Sequence, residues 1–160
     1  MKNTLKKAAV IVLAAVMLAL CFSSCDKTKT EATKVTVSVY DEDHVIFLKI
    51  TDMEIEAGTT AQKAVQMLCD ARSASYVINT SGGFDAFTFG ERTISSREEA
   101  LDNGNKKMYS FGWKLNDELM SSIEEGATYV AMSDKVLANG DRVEVFVQID
   151  EVKPDTAEKN

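Results

Sequence analysis

Hydrophobic positions along this chain follow three different patterns, and the changes between them divide it into segments. Ala8 to Leu20 is an unbroken apolar run of 13 residues. Polar residues then dominate until Val35, Val37 and Val39 alternate with Thr36, Ser38 and Tyr40, the period-two pattern of a strand with one buried face. Asp41-Glu42-Asp43-His44 interrupts it, and Val45 to Ile50 resumes as a more fully apolar strand. Two such runs about a short polar turn predict a hairpin. After Gly58 the period lengthens, and Ala61, Ala64, Val65, Leu68 and Cys69 fall on one face of a helix. Thr59 followed three residues later by Gln62 has the pattern of a capping box at its start.

Ser73 to Asn105 has no dominant period. Tyr76 to Ile78 and Phe87 to Ile94 are candidate short strands around Ser81-Gly82-Gly83, but their alternation is weak and the segment reads as irregular. Met108 to Leu115 is a strand with two unlike faces: Tyr109, Phe111, Trp113 and Leu115 on one, Met108, Ser110, Gly112 and Lys114 on the other. Asn116-Asp117 supplies a turn after it. Arg142 to Ile149 is the last strand, with Val143, Val145, Val147 and Ile149 inward, and Ala138-Asn139-Gly140-Asp141 turns into it. Glu151 to Asn160, with Pro154, reads as a frayed end, the domain boundary falling at 152 and a flexible tail covering 153–160. There is no internal repeat. The predicted fold class is α+β: a small domain in which a mixed or antiparallel sheet packs on one main helix.

The apolar run near the start is too short to span a bilayer, which takes about 20 residues. It follows Lys2, Lys6 and Lys7 and ends in Phe22-Ser23-Ser24-Cys25, an arrangement that resembles a bacterial lipoprotein signal. In the usual lipobox an aliphatic residue and two small ones precede the cysteine; Phe22 departs from the aliphatic preference. Cys21 is a weaker candidate because large Leu20 precedes it. The resemblance implies a signal peptide over 1–24, lipid on Cys25, and a flexible Lys/Thr-rich tether over 25–34. It places the domain of residues 35–152 on the extracytoplasmic face of a membrane in a bacterial envelope, with the bilayer as a partner. Each buried methylene contributes about 0.8 kcal/mol, so two or three acyl chains hold a protein where one would not.

Charge and cysteine usage narrow the function. The whole chain carries a formal charge of −7; without the three lysines of the leader, 15 basic residues face 25 acidic ones, a balance of −10. That sign argues against nucleic acid and against adsorption to anionic headgroups. With Cys25 lipidated, Cys69 has no disulfide partner, and its place on the apolar helix face predicts an inert buried thiol. His44, the only histidine, sits in a hairpin turn, where a solvated residue is a better expectation than a nucleophile's base. Asp41-Glu42-Asp43 lacks the spacing of a calcium loop and reads as a charged turn, so no metal site is expected. The pairs Glu98-Glu99 and Glu124-Glu125 read as solvated surface. No catalytic set emerges, and the chain is expected not to be an enzyme.

The C-terminal half carries a second resemblance. Gly112-Trp113-Lys114-Leu115-Asn116-Asp117, followed by Leu137-Ala138-Asn139-Gly140-Asp141-Arg142-Val143-Glu144-Val145, is similar to the transcobalamin-like C-terminal domain family. The helix from Thr59-Thr60-Ala61 matches that family's N-terminal element, extending the likeness over Val35 to Ile149. It implies a β-grasp-like fold and, as a candidate ligand, cobalamin or a related tetrapyrrole, with no cofactor required. Asp117 stands where the family usually has Gly, and no second domain is expected that could close a clamp. The expected function is a non-catalytic envelope head that binds a small molecule or a surface partner. The candidate ligand residues are Trp113, Gly112, Asn116, Phe84 and Phe87. The alternative is an adhesion or accessory module that recognises a protein or glycan through an exposed strand edge.

Overall fold

The computed structural model describes residues 32–120 and 130–153. The leader, Cys21, Cys25, most of the expected tether, Glu124-Glu125 and the end of the expected tail lie outside the described residues. Among the described residues nine strands and one helix follow in the order β1 (Thr33–Tyr40), β2 (Ile46–Ile55), α1 (Ala61–Arg72), β3 (Ser75–Ile78), β4 (Phe84–Phe89), β5 (Arg92–Ser95), β6 (Arg97–Ala100), β7 (Lys106–Leu115), β8 (Glu118–Leu119) and β9 (Arg142–Val152). The architecture is α+β. One sheet runs β2-β1-β9-β7-β6, with β8 on the free side of β7; a second, small sheet runs β3-β4-β5. Only β1 and β9 pair in parallel; every other ladder is antiparallel.

Alternation does what the period promised. Val35, Val37 and Val39 of β1, Val143, Val145 and Val147 of β9, and Tyr109, Trp113 and Leu115 of β7 are buried on one face of the large sheet. α1 covers that face with Ala61, Ala64, Val65, Leu68 and Cys69, the five positions of its apolar stripe, each fully buried. The small sheet adds Phe84, Phe87 and Ile94 to the same core. Phe87 is completely buried and meets Phe111 edge-on, with ring centroids 5.2 Å apart. The aromatic side of β7 is therefore core.

Several expectations need correction. Thr33 and Lys34, assigned to the tether, begin β1, because a β1–β2 ladder starting at Thr33↔Ile55 and the bond from Lys34 N–H to Asn139 Oδ1 (2.8 Å) hold them. β2 continues past Ile50 to Ile55, through a bulge where Asp52 takes φ +52°. The helix cap is Thr60, whose hydroxyl accepts from Lys63 N–H at 3.3 Å; Thr59 instead donates to Glu56 O, and Gln62 reaches away to Gly82 O. Residues 73–105 are not irregular: four short strands fill them. Ile149 is not inward but 46% exposed, since the sheet's cover ends before it. Glu151 and Val152 belong to β9, paired with Lys107 and Lys106, and are not frayed.

Asp41 is the other departure. It is not a solvated turn acid but 5% exposed, accepting N–H bonds from Asp43 (3.1 Å) and Val45 (2.9 Å) and pairing with Arg92 at 3.0 Å. Desolvation alone would raise its pKa; the bonds from Val45, Arg92 and Asp43 outweigh it and hold the carboxyl below its ordinary value of 3.8. Arg97 pairs with Glu42 (2.5 Å) and lies 3.7 Å over the Tyr109 ring. The β1–β2 turn is thus fastened to β5 and β6.

Candidate functional site

Two hollows flank the centre of the large sheet. The first lies on the covered side, between Phe111-Gly112-Trp113 of β7, the Ser81-Gly82-Gly83 turn with Phe84, and Ala131 to Ser133; its volume is about 60 Å³. The turn is preset by Asn79, whose Oδ1 accepts from the N–H groups of Ser81 and Gly83, both at 3.0 Å. Trp113 is 3% exposed and donates its indole N–H to Val130 O at 3.2 Å. Its ring is a wall and not an exposed platform. Ligand pockets for drug-sized molecules run to roughly 300–1,000 Å³, so this hollow is too small to enclose a tetrapyrrole.

The five residues marked from the sequence do not form one site. Trp113, Gly112 and Phe84 line the small hollow. Phe87 stands behind Phe84, centroids 4.8 Å apart, and is sealed in the core. Asn116 is elsewhere, in the two-residue turn between β7 and β8, where it and Asp117 take φ +52° and +73°. Those values suit a tight hairpin turn with the twist of its strands, which Asn and Asp tolerate better than other side chains. Its side chain is spent on structure: Nδ2 donates to Asp141 at 2.8 Å and Oδ1 accepts from Arg142 N–H at 2.9 Å. Asn116 locks the start of β9 to the end of β7.

The second hollow is on the opposite face, which neither α1 nor the small sheet covers. It is lined by Tyr40, His44, Lys114, Glu144 and Phe146 and measures about 270 Å³. Registry explains the grouping. Ser38 pairs with Glu144 and Glu144 with Lys114, making one row across β1, β9 and β7. In the next row Phe146 pairs with Gly112, and Tyr40 lies one residue past the final β1–β9 pair, Val39↔Val145. With only glycine opposite Phe146 on β7, the side chain that reaches its ring comes from Lys114, whose Nζ is 5.3 Å from the centroid. His44 overhangs from the β1–β2 turn, where φ is +57° and its N–H donates to Asp41 O.

The charges of this hollow are not matched to each other. Lys114 and Glu144 are register partners, but no ion pair within 4 Å joins them. Glu144 is 3.4 Å from Arg142 Nε, and Arg142 also pairs with Asp117. Among the described residues Lys114 has no carboxylate partner, so its ammonium keeps donors to offer.

Sequence reasoning passed over all five residues as binding groups. The available signal was an aromatic residue at a position where the alternation calls for a polar one, Tyr40 in β1 and Phe146 in β9. Their adjacency depended on β9 lying between β1 and β7, which no periodicity encodes. Elsewhere, Cys69 is free and buried, and desolvation, with a smaller push from Asp70, raises its thiol to about 12. Among the described residues no group of three or more His, Cys, Asp and Glu could hold a metal, and no helix is long and apolar enough to cross a membrane. No family model, curated protein or solved structure matches the chain.

Proposed function

We propose that this chain is a lipid-anchored, non-catalytic binding head of the bacterial envelope, with a β-grasp-like domain that recognises its target on the open face of the large sheet. The observation that carries the binding role is the hollow of about 270 Å³ on the uncovered face, lined by Tyr40 and Phe146 and by Lys114, whose ammonium has no carboxylate partner among the described residues. A sheet crossed by one helix, with its first and last strands parallel at the centre, supports the β-grasp-like assignment. The lipid anchor rests on the Phe22-Ser23-Ser24-Cys25 pattern. Trp113 serves the core in this reading, and the small hollow beside it is not the main recognition site.

A ligand-observed NMR screen of small polar and aromatic compounds against the full chain in detergent micelles tests the head. Hits are expected to vanish in a Phe146→Ala variant that retains the wild-type circular dichroism spectrum. Hits that persist there, or that Trp113 fluorescence traces to the other face, would overturn the open-face reading. For the anchor, Cys25→Ala is expected to release the protein or stall its maturation, and Cys21→Ala to do neither. The reverse pattern would move the lipid site.

A further inference from the structure

From the chemistry of the open-face hollow we infer that it is a saccharide-binding site, taking one or two rings of a neutral, polyhydroxylated sugar. This rests on the open-face reading above and names its ligand class. Three observations converge on it. The volume of about 270 Å³ falls just below the roughly 300–1,000 Å³ of pockets for drug-sized ligands, which suits a mono- or disaccharide unit. The aromatic pair Tyr40 and Phe146 gives an apolar surface on which the C–H face of a pyranose ring can lie. There its slightly positive hydrogens meet the negative face of a π-system.

The third observation concerns charge and selects among polar ligands. Lys114 and Glu144 stand side by side in register with no ion pair between them, and although Glu144 Oε1 lies 3.4 Å from Arg142 Nε, Oε2 remains as an acceptor. A hydroxyl both donates and accepts, so a polyol can satisfy both groups while bringing no charge of its own. An anionic ligand drawn to Lys114 would meet Glu144 and a chain of formal charge −7. A cation drawn to Glu144 would meet Lys114. His44 adds an imidazole at the rim, able to donate through one ring nitrogen and accept through the other in its neutral form.

The two rows divide the labour. Phe146 and Tyr40 supply contact area with little rotamer freedom to lose, while Lys114 and Glu144 read hydroxyl positions. Lys114 Nζ lies over the Phe146 ring, 5.3 Å from its centroid, so a sugar stacking there displaces the ammonium from the ring face to its side, a move that the flexible lysine stem allows.

Backbone amide shifts of the full chain in detergent micelles, followed during titration with cellobiose, maltotriose and chitotriose, provide the test. A zwitterionic dipeptide runs in parallel as the competing chemistry. At least one sugar is expected to shift the amides of Tyr40, Gly112 and Phe146 saturably. Phe146→Ala is expected to abolish the effect, and Lys114→Met, which keeps the stem and so guards against misfolding, to weaken binding about tenfold. If the dipeptide moves these amides and no sugar does, the saccharide assignment falls while the open-face reading stands. If neither moves them, or if sugars shift only the Trp113 side, both fall.

Discussion

The two faces of β7 are built on opposite terms. On the covered side Tyr109, Trp113 and Leu115 are buried and their polar atoms are committed: Tyr109 Oη donates to Glu99 at 2.9 Å and the Trp113 indole to Val130 O. On the open side Gly112 contributes no side chain, Lys114 contributes a flexible stem, and the ring it reaches, Phe146, comes from the neighbouring strand. The aromatic-rich face is closed by packing and leaves about 60 Å³, whereas the sparse face leaves about 270 Å³ lined by both aromatic and charged side chains. A conspicuous aromatic stripe is therefore poor evidence for a binding surface when a helix and a second sheet need it as core. The informative side chains are those that interrupt a polar face.

Substitutions can break this contrast. The largest effect is expected for Trp113→Ala, which removes a buried ring and an indole hydrogen bond and should cost about 3–5 kcal/mol in urea unfolding. A loss below about 1 kcal/mol would mean the covered face is not the core described here. Next comes Asp41→Asn, expected to cost about 1–3 kcal/mol by weakening the buried acceptor of two backbone N–H groups and the Arg92 pair. Its acid dependence has a definite sign. Because the native carboxyl is held below 3.8, its stabilising contribution is present above that value and is lost as pH falls through the lowered native pKa. Acid titration of Tm should therefore show a steeper decline in the wild type than in the variant. The smallest effect is expected for Lys114→Met, within about 0.5 kcal/mol of wild type by the same denaturation, since among the described residues its ammonium meets the Phe146 ring and no carboxylate. A clearly larger loss would make Lys114 part of the scaffold and blunt the distinction between the faces.

What could be read in advance follows the range of the interaction. The valine alternation of β1 and β9 and the five buried positions of α1 depend on local period, and they hold residue by residue. β3, β5 and β6 are four residues each, too short for a period to declare itself; β3 and β5 flank β4 in the small sheet, whose Phe87 and Ile94 reach the core, and β6 is an exposed strand held by its ladder to β7. Asp41 could not be recognised as buried because its partner, Arg92, lies 51 residues away. Asn116 was correctly placed in a turn, but its side chain answers to Asp141 and Arg142, not to a ligand. The open-face hollow was hidden for the same reason, as its five residues come from three strands and a turn brought together by topology.

The position of β9 also governs when the domain can come into being. It is the last of the described strands, and it lies between β1 and β7, pairing with both. Until Arg142 to Val152 has emerged, β1 has no parallel neighbour, β7 lacks its longest ladder, and the helix has only part of a surface to cover. Closing the sheet needs contacts more than 100 residues apart in sequence, such as Val37 with Val143, a separation that slows folding. A chain delivered from its N-terminus cannot complete this sheet before β9 arrives. Were the chain exported as the proposed anchor implies, this order would leave the large sheet incomplete until β9 had crossed the membrane.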